Sequence, residues 1–149
     1  MRSRYEIGFD DVDFARVLNY ARYYSYVDRA WTAWLHQHGV VLRELYTAGR
    51  TAMPIVTSHC RYRGPLRLED VLEVRLALRD LTLRGFQIDF HIVRVHDDFR
   101  VAEGYQQHRF VDPEARRPTE PPAELYAALE GMVAESAGHL GEEQRRPAE

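Results

Sequence analysis

Tyr20, Tyr23, Tyr24, Val27, Ala30, Trp31, Trp34, Leu35 and His38 recur at intervals of three and four, which puts them on one broad, aromatic face of a helix about five turns long. Asn19 stands where an N-cap belongs and Gly39 where a helix stops. A stripe of Tyr and Trp this wide loses too much by facing water, so the helix needs cover on most sides. A single helix wrapped by a curved sheet supplies that cover.

The remaining sequence offers such a sheet. Tyr5, Ile7 and Phe9 alternate before Asp10, Asp11 and Asp13, as in a short strand entering a polar turn. After Gly39 the helical period lapses, and Val40 to Tyr46, Ala52 to Arg63, Val71 to Asp80, Gly85 to His96 and Arg100 to Val111 read as strands. Within Val71 to Asp80, Leu72, Val74, Leu76 and Leu78 take one face while Glu73, Arg75 and Arg79 take the other. The breaks at Gly64-Pro65, Leu83 to Gly85 and Asp97-Asp98 are short, so neighbouring strands should run antiparallel. Asp112 to Pro122 is rich in proline and charge and reads as a linker or surface arm. Leu125, Ala128, Leu129, Met132 and Val133 predict one more helix over Ala123 to Ala137. Residues 1–137 are thus expected to form one domain and 138–149 a disordered tail.

Composition removes several kinds of chemistry. All 20 basic residues are arginine. Without lysine there is no Schiff base, no anchor for pyridoxal phosphate and no P-loop or kinase lysine. A net charge of -3 argues against a protein devoted to nucleic acid. Cys60 is the lone cysteine, no N-terminal export pattern is visible, and the longest run without Asp, Glu or Arg, Ala30 to Leu42, falls short of the roughly 20 residues that span a bilayer. A cytoplasmic protein that does not enter membranes is the expectation.

Asp13 precedes Asn19 by six residues, between the first strand and the helix. A carboxylate beside a helix N-terminus suits attack on a carbonyl or activation of water while free amides polarise the carbonyl oxygen. From spacing alone, a solvated acidic turn of Asp10, Asp11 and Asp13 is the commoner arrangement. His36 and His38 lie on different helix faces, and His59, His91 and His108 lack any accompanying metal motif, so they read as structural. Cys60 lies mid-strand, and neither Ser25 nor Ser58 sits in a GxSxG elbow, which leaves no nucleophilic Cys or Ser. Arginines crowd at Arg61, Arg63 and Arg67 and again at Arg75, Arg79 and Arg84, a pattern that serves phosphate recognition and solubility equally well.

The run GFDDVDFARVLNYARYYSYVDRAWTAWL resembles the N-terminal signature of the 4-hydroxybenzoyl-CoA thioesterase-like family: an Asp, small residues, a hydrophobic pair and an aromatic-rich helix containing a Tyr. The run PIVTSHCRYRGPLRLEDVLEVRLALRDL is similar to that family's strand, Pro-Leu turn, acidic pair and following strand, and the resemblance covers residues 4 to 112. It implies an α+β hotdog fold, a long central helix wrapped by a curved antiparallel sheet of about five to six strands. It also implies an acyl-CoA thioesterase that releases a carboxylic acid and free CoA. The family's catalytic carboxylate falls on Asp13, as nucleophile or general base, and its carbonyl-polarising amide falls on the N–H of Tyr20. Contacts to CoA phosphates fall on Arg84 and, more weakly, Arg79, and the family's Tyr in the helix falls on Tyr23 as a further substrate-binding candidate. The resemblance implies a homodimer or a dimer of dimers. It requires no metal or organic cofactor, CoA entering only with the substrate.

Three positions depart from the family's pattern. Arg16 stands where relatives usually carry Gly, Arg22 where many carry Asn, and Tyr20 where one branch carries His. A cation at Arg16 points to an acidic acyl group, and Arg22 joins it as a candidate contact. A phosphopantetheine arm is the same on CoA and on a carrier protein. An acyl-carrier-protein thioesterase of polyketide-type biosynthesis therefore remains open beside the CoA enzyme, as does a non-catalytic module that binds acyl thioesters or serves as a scaffold.

Overall fold

The computed structural model describes residues 1–49 and 51–143, with side chains through residue 137. β1 (Arg2–Glu6) leads through a single 3-10 turn (Phe9–Asp11) to α1 (Arg22–Gln37) and α2 (Leu42–Thr47). β2 (Ile55–Tyr62), β3 (Val71–Thr82), β4 (Gly85–Arg94) and β5 (Phe99–Arg109) follow, then a small hairpin of β6 (Val111–Asp112) and β7 (Arg117–Pro118), and finally α3 (Ala123–Glu143). Five strands form one antiparallel sheet in the order β1-β3-β4-β5-β2. Register shifts at Arg79/Thr82 and Ile92/Val93 bend its long central hairpins.

α1 buries Tyr23, Tyr26, Val27, Ala30, Trp31, Trp34 and Leu35, the stripe its spacing predicts. The face of β3 bearing Leu72, Val74, Leu76 and Leu78 is buried too, as the alternation requires. Helix and sheet meet through aromatic contacts: Tyr24 on Phe90 at 6.0 Å, and Trp31 against the stacked pair of Phe86 at 5.5 Å and His108 at 5.9 Å. Trp34 is fully buried. Its replacement by Ala costs about 3–5 kcal/mol by the usual measure of large core deletions. Glu73, expected on the outer face, is only 5% exposed because Arg4 and Arg75 each bond one of its carboxylate oxygens at 2.8 Å.

Beyond the stretch of β3 paired with β1, α3 covers the strand. The Leu78 N–H donates to Ser136 Oγ at 2.8 Å, and Trp34 Nε1 and His38 Nε2 both meet Glu135 Oε2, at 2.8 and 3.0 Å. The tail expected over 138–149 is helical backbone as far as Glu143, and its remainder, 144–149, lies outside the described residues.

Several elements differ from expectation. Val40 to Tyr46 is not a strand: Leu42–Thr47 is a helical turn and a half, with Leu42 and Leu45 packed on the core. The β-branched pair Val40-Val41 suggested extension, but Leu42 and Leu45 are also neighbours at helical spacing, and packing decided between the two periods. The first strand lies earlier than Tyr5 to Phe9, because pairing with β3 runs from Arg2↔Arg75 to Glu6↔Val71 and leaves Phe9 80% exposed. The proline-rich arm contains the β6–β7 hairpin. α1 starts at Arg22 with Ala21 at its N-cap, not at Tyr20 behind Asn19.

Candidate active site

The seven residues 12–18 make a tight loop closed by a bridge between Val12 and Leu18. The Asp13 N–H donates to Val17 O at 3.0 Å and the Arg16 N–H to Asp13 O at 2.9 Å, while Leu18 N–H anchors the loop on Leu66 O at 2.7 Å. The turn forces Arg16 to φ 63. A left-handed non-glycine residue costs about 1 kcal/mol or slightly more. Glycine would sit there without strain, so the departure at Arg16 has a backbone consequence.

The three aspartates divide their work. Asp11 Oδ2 accepts the Tyr26 hydroxyl at 2.6 Å and Oδ1 lies 3.8 Å from Arg22 Nε, so Asp11 fastens the loop to α1. Arg22 also donates to Asp10 O at 3.4 Å. A cation at the first helical position works against the helix dipole, and Asp11 offsets it. Asp13 is half-buried and its Oδ1 accepts only the Ala15 N–H at 2.8 Å. Among the described residues its Oδ2 has no partner. Asp13 and Arg16 border one open cleft of about 600 Å³, together with Phe9, Phe14, Arg67 and Leu68.

Between this loop and the helix, Asn19 builds the turn. Its Oδ1 accepts the Ala21 N–H at 3.0 Å, its carbonyl accepts the Arg22 N–H at 2.9 Å, and its own N–H donates to Asp11 O at 3.0 Å. The one amide skipped in the run 19–22 is that of Tyr20, which has no acceptor among the described residues. Tyr20 is 71% exposed, and its carbonyl accepts the hydroxyl of Tyr62 at 3.0 Å. Tyr62 in turn packs edge-on against Tyr23, centroids 5.0 Å apart. Tyr23 is buried, and burial pushes its phenol up to about 12. Tyr23 therefore supports Tyr62 from beneath. Burial raises the Tyr62 phenol as well, with the neighbouring Cys60 adding to it, and burial raises the Cys60 thiol. A thiol raised in this way carries less thiolate near neutral pH, which suits a structural mid-strand cysteine better than a nucleophile.

Tyr62 is a residue that sequence reasoning missed. Its only signal was an aromatic within HCRYRG, where the flanking arginines drew attention.

The arginines of the β3–β4 turn lie elsewhere. Arg79 Nε is 2.8 Å from Asp89 Oδ2, while Arg84 is exposed in the turn itself, its N–H on Thr82 Oγ1 at 3.2 Å. The Asp13 loop is anchored on Leu66, just before β3, and Ile7 beside it on Asp70. Arg84 lies two residues past the end of β3. The length of that strand, roughly 35 Å at 3.3 Å per residue, separates Asp13 from Arg84 within one chain.

A central helix against five antiparallel strands, with a carboxylate loop and a spare amide ahead of the helix, defines a hotdog-fold protein with a candidate acyl-transfer site. The chain belongs to the Thioesterase-like superfamily, which it matches over residues 7–129. It is 28% identical over 116 residues to the 1,4-dihydroxy-2-naphthoyl-CoA hydrolase of Synechococcus sp. (strain CC9605), covering 74% of this chain and 76% of that protein. Its fold is similar to that of a 1,4-dihydroxy-2-naphthoyl-CoA thioesterase from Synechocystis, at TM-score 0.81 and 20% identity over 86% of this chain and 93% of the other. A protein from Staphylococcus aureus solved in complex with CoA is similar at TM-score 0.81 and 15% identity, over 89% and 83% of the two chains. No helix among the described residues is long and apolar enough to cross a membrane.

Proposed function

We propose that this protein is a thioester hydrolase that cleaves an acyl-CoA to a carboxylic acid and free CoA. Asp13 either adds its carboxylate to the thioester carbonyl carbon or takes a proton from the water that does so. The Tyr20 N–H donates to the oxygen as it gains negative charge, a role worth about 3–4 kcal/mol of barrier for one such donor. Collapse of the tetrahedral species breaks the C–S bond and releases CoA thiolate, a leaving group good enough to need no strong acid; where Asp13 itself has added, water then hydrolyses the resulting mixed anhydride to the acid and restores the carboxylate. The observation that carries this reading is the spare N–H of Tyr20, left unspent in a turn whose other amides are all bonded. The reaction as proposed draws on no metal or organic cofactor.

The relatives named for 1,4-dihydroxy-2-naphthoyl-CoA put aryl thioesters first in a substrate panel. Assembly into a homodimer is part of the proposal, supported by the open edge of β2, where Ile55 and Val56 are 44% and 53% exposed. Thiol release from an acyl-CoA panel tests it. Asp13→Asn keeps an acceptor for the Ala15 amide, so it should fold normally yet lose at least about 100-fold in kcat, as loss of a general base or nucleophile does. Equal, background release by wild type and variant would leave the protein a non-catalytic binding module.

A further inference from the structure

The cleft beside Asp13 holds two guanidinium groups that the fold does not use. Arg16 and Arg67 both line it, and neither side chain forms an ion pair or hydrogen bond with another described residue. Of the acids next to it in sequence, Asp11 is engaged by Tyr26 and Arg22 and Asp70 accepts the backbone N–H of Arg67 at 2.7 Å, while Asp10 and Glu69 do not line the cleft. Asp13 is the one carboxylate lining the cleft, so two positive charges face one negative charge there. Arg16 sits at φ 63, a conformation that glycine adopts freely and arginine does not. The other walls are apolar and open: Phe14 is 99% exposed, Phe9 80% and Leu68 41%. An open apolar cleft with surplus, unpaired guanidinium charge fits a molecule that is apolar along its length and anionic at one point.

We infer that Arg16 and Arg67 form a specificity subsite for a carboxylate on the acyl group of the substrate. The inference rests on the thioesterase reading of the same site. The phosphates of CoA are the other anion the substrate brings, but the whole pantetheine arm separates them from the thioester. Arg16 lies three residues from Asp13 in one closed loop, so its guanidinium stays near the carbonyl end.

The test compares kcat/KM of the full-length protein on matched pairs, hexanoyl-CoA with adipoyl-CoA and 4-methylbenzoyl-CoA with 4-carboxybenzoyl-CoA. The same acyl groups are also presented on pantetheine, which lacks the nucleotide phosphates. The anionic member of each pair should be preferred, and Arg16→Gly and Arg67→Ala should each lower the anionic-to-neutral ratio about 5- to 10-fold, the range expected of exposed charge-assisted contacts. The preference should shrink with added salt. Arg16→Gly relieves the left-handed backbone, so its Tm should not fall, which separates loss of charge from misfolding. Arg43→Ala, on the exposed side of α2, should leave the ratio unchanged. An unchanged ratio in both cleft variants overturns the inference while leaving the thioesterase reading intact. A loss equal for both members on CoA and absent on pantetheine would instead assign the arginines to phosphate and overturn it too. No turnover of any member by wild type overturns both readings.

Discussion

Tyr62→Phe removes one hydroxyl and separates the support of the Tyr20 peptide from the stability of the fold. The lost bond is the 3.0 Å donation to Tyr20 O. Its two residues are 42% and 71% exposed, so water can replace the donor and the net stability loss should be about 0.5 kcal/mol. For a chain of this size that lowers Tm by about 1–2 °C. The edge contact with Tyr23 needs only the ring and survives. The kinetic loss should be larger. Removing an oxyanion donor outright costs about 100- to 1000-fold. On the proposed mechanism the Tyr20 donor stays but the residue carrying it is no longer pinned from β2, so a drop of about 5- to 20-fold in kcat is expected, with KM changing less than about twofold. Burial and Cys60 hold the phenol protonated, so the effect should not vary with pH across the neutral range. Saturating acyl-CoA with detection of free thiol measures kcat, and thermal unfolding measures stability. A kcat within twofold of wild type would refute the reasoning, as would a rise in KM alone, which would make Tyr62 a substrate contact.

Other consequences lie away from the site. Ser136→Ala strips the buried Leu78 N–H of its acceptor and should cost about 1–3 kcal/mol, seen as a Tm loss of about 3–10 °C with kcat unchanged. Burial alone would raise the Glu135 carboxyl, but hydrogen bonds from Trp34 and His38 and the charge of the Met1 amino group outweigh it and hold its pKa below 4.5. A carboxyl depressed in the folded state gives stability above its unfolded pKa that is lost as pH falls through the folded one, so Glu135→Gln should flatten the decline of Tm below about pH 4.5. Val56→Asp places a charge on the open β2 edge and, in the proposed dimer, two like charges across a twofold axis; light scattering should then report the 17.4 kDa monomer.

The sequence carried the parts of the fold whose period is long and whose burial is one-sided. α1 was legible because its seven buried residues keep helical spacing over four turns, and β3 because four buried residues alternate without a break. α2 was not, because six residues hold too few periods to separate helix from strand. The start of α1 was misplaced by two residues because Asn19 does bond a following amide, as a cap would, but that amide belongs to a turn ahead of the helix. That displacement is what leaves the Tyr20 N–H outside the helix. Asp13 could be singled out by resemblance, yet only the structure distinguishes it from Asp11, whose carboxylate is occupied by Tyr26 and Arg22. Long-range partners such as Tyr62, 42 residues from Tyr20, leave no trace in local pattern.

The separation of Asp13 from Arg84 bears on how a substrate would be held. A pantetheine arm, a dozen or so bonds of about 1.5 Å, reaches roughly 15–20 Å, well short of the strand between the two residues. The arm alone therefore does not bridge the two within one chain. A second copy joined at the open edge would bring them closer by symmetry. β2 runs from Ile55, paired with His108 near the Arg84 turn, to Tyr62, which touches Tyr20. The Arg84 end is fixed by Phe110 N–H on Arg84 O and by Gly85↔Arg109. If two copies pair β2 to β2 antiparallel, as a twofold axis across that edge requires, the Ile55 end of one lies beside the Tyr62 end of the other. Each carboxylate loop then faces the β3–β4 turn of the second copy, and the thioester and the CoA phosphates are served by different chains. On this geometry the unpaired β2 edge, a liability in a monomer, is what brings together residues that one chain keeps at opposite ends of its longest strand.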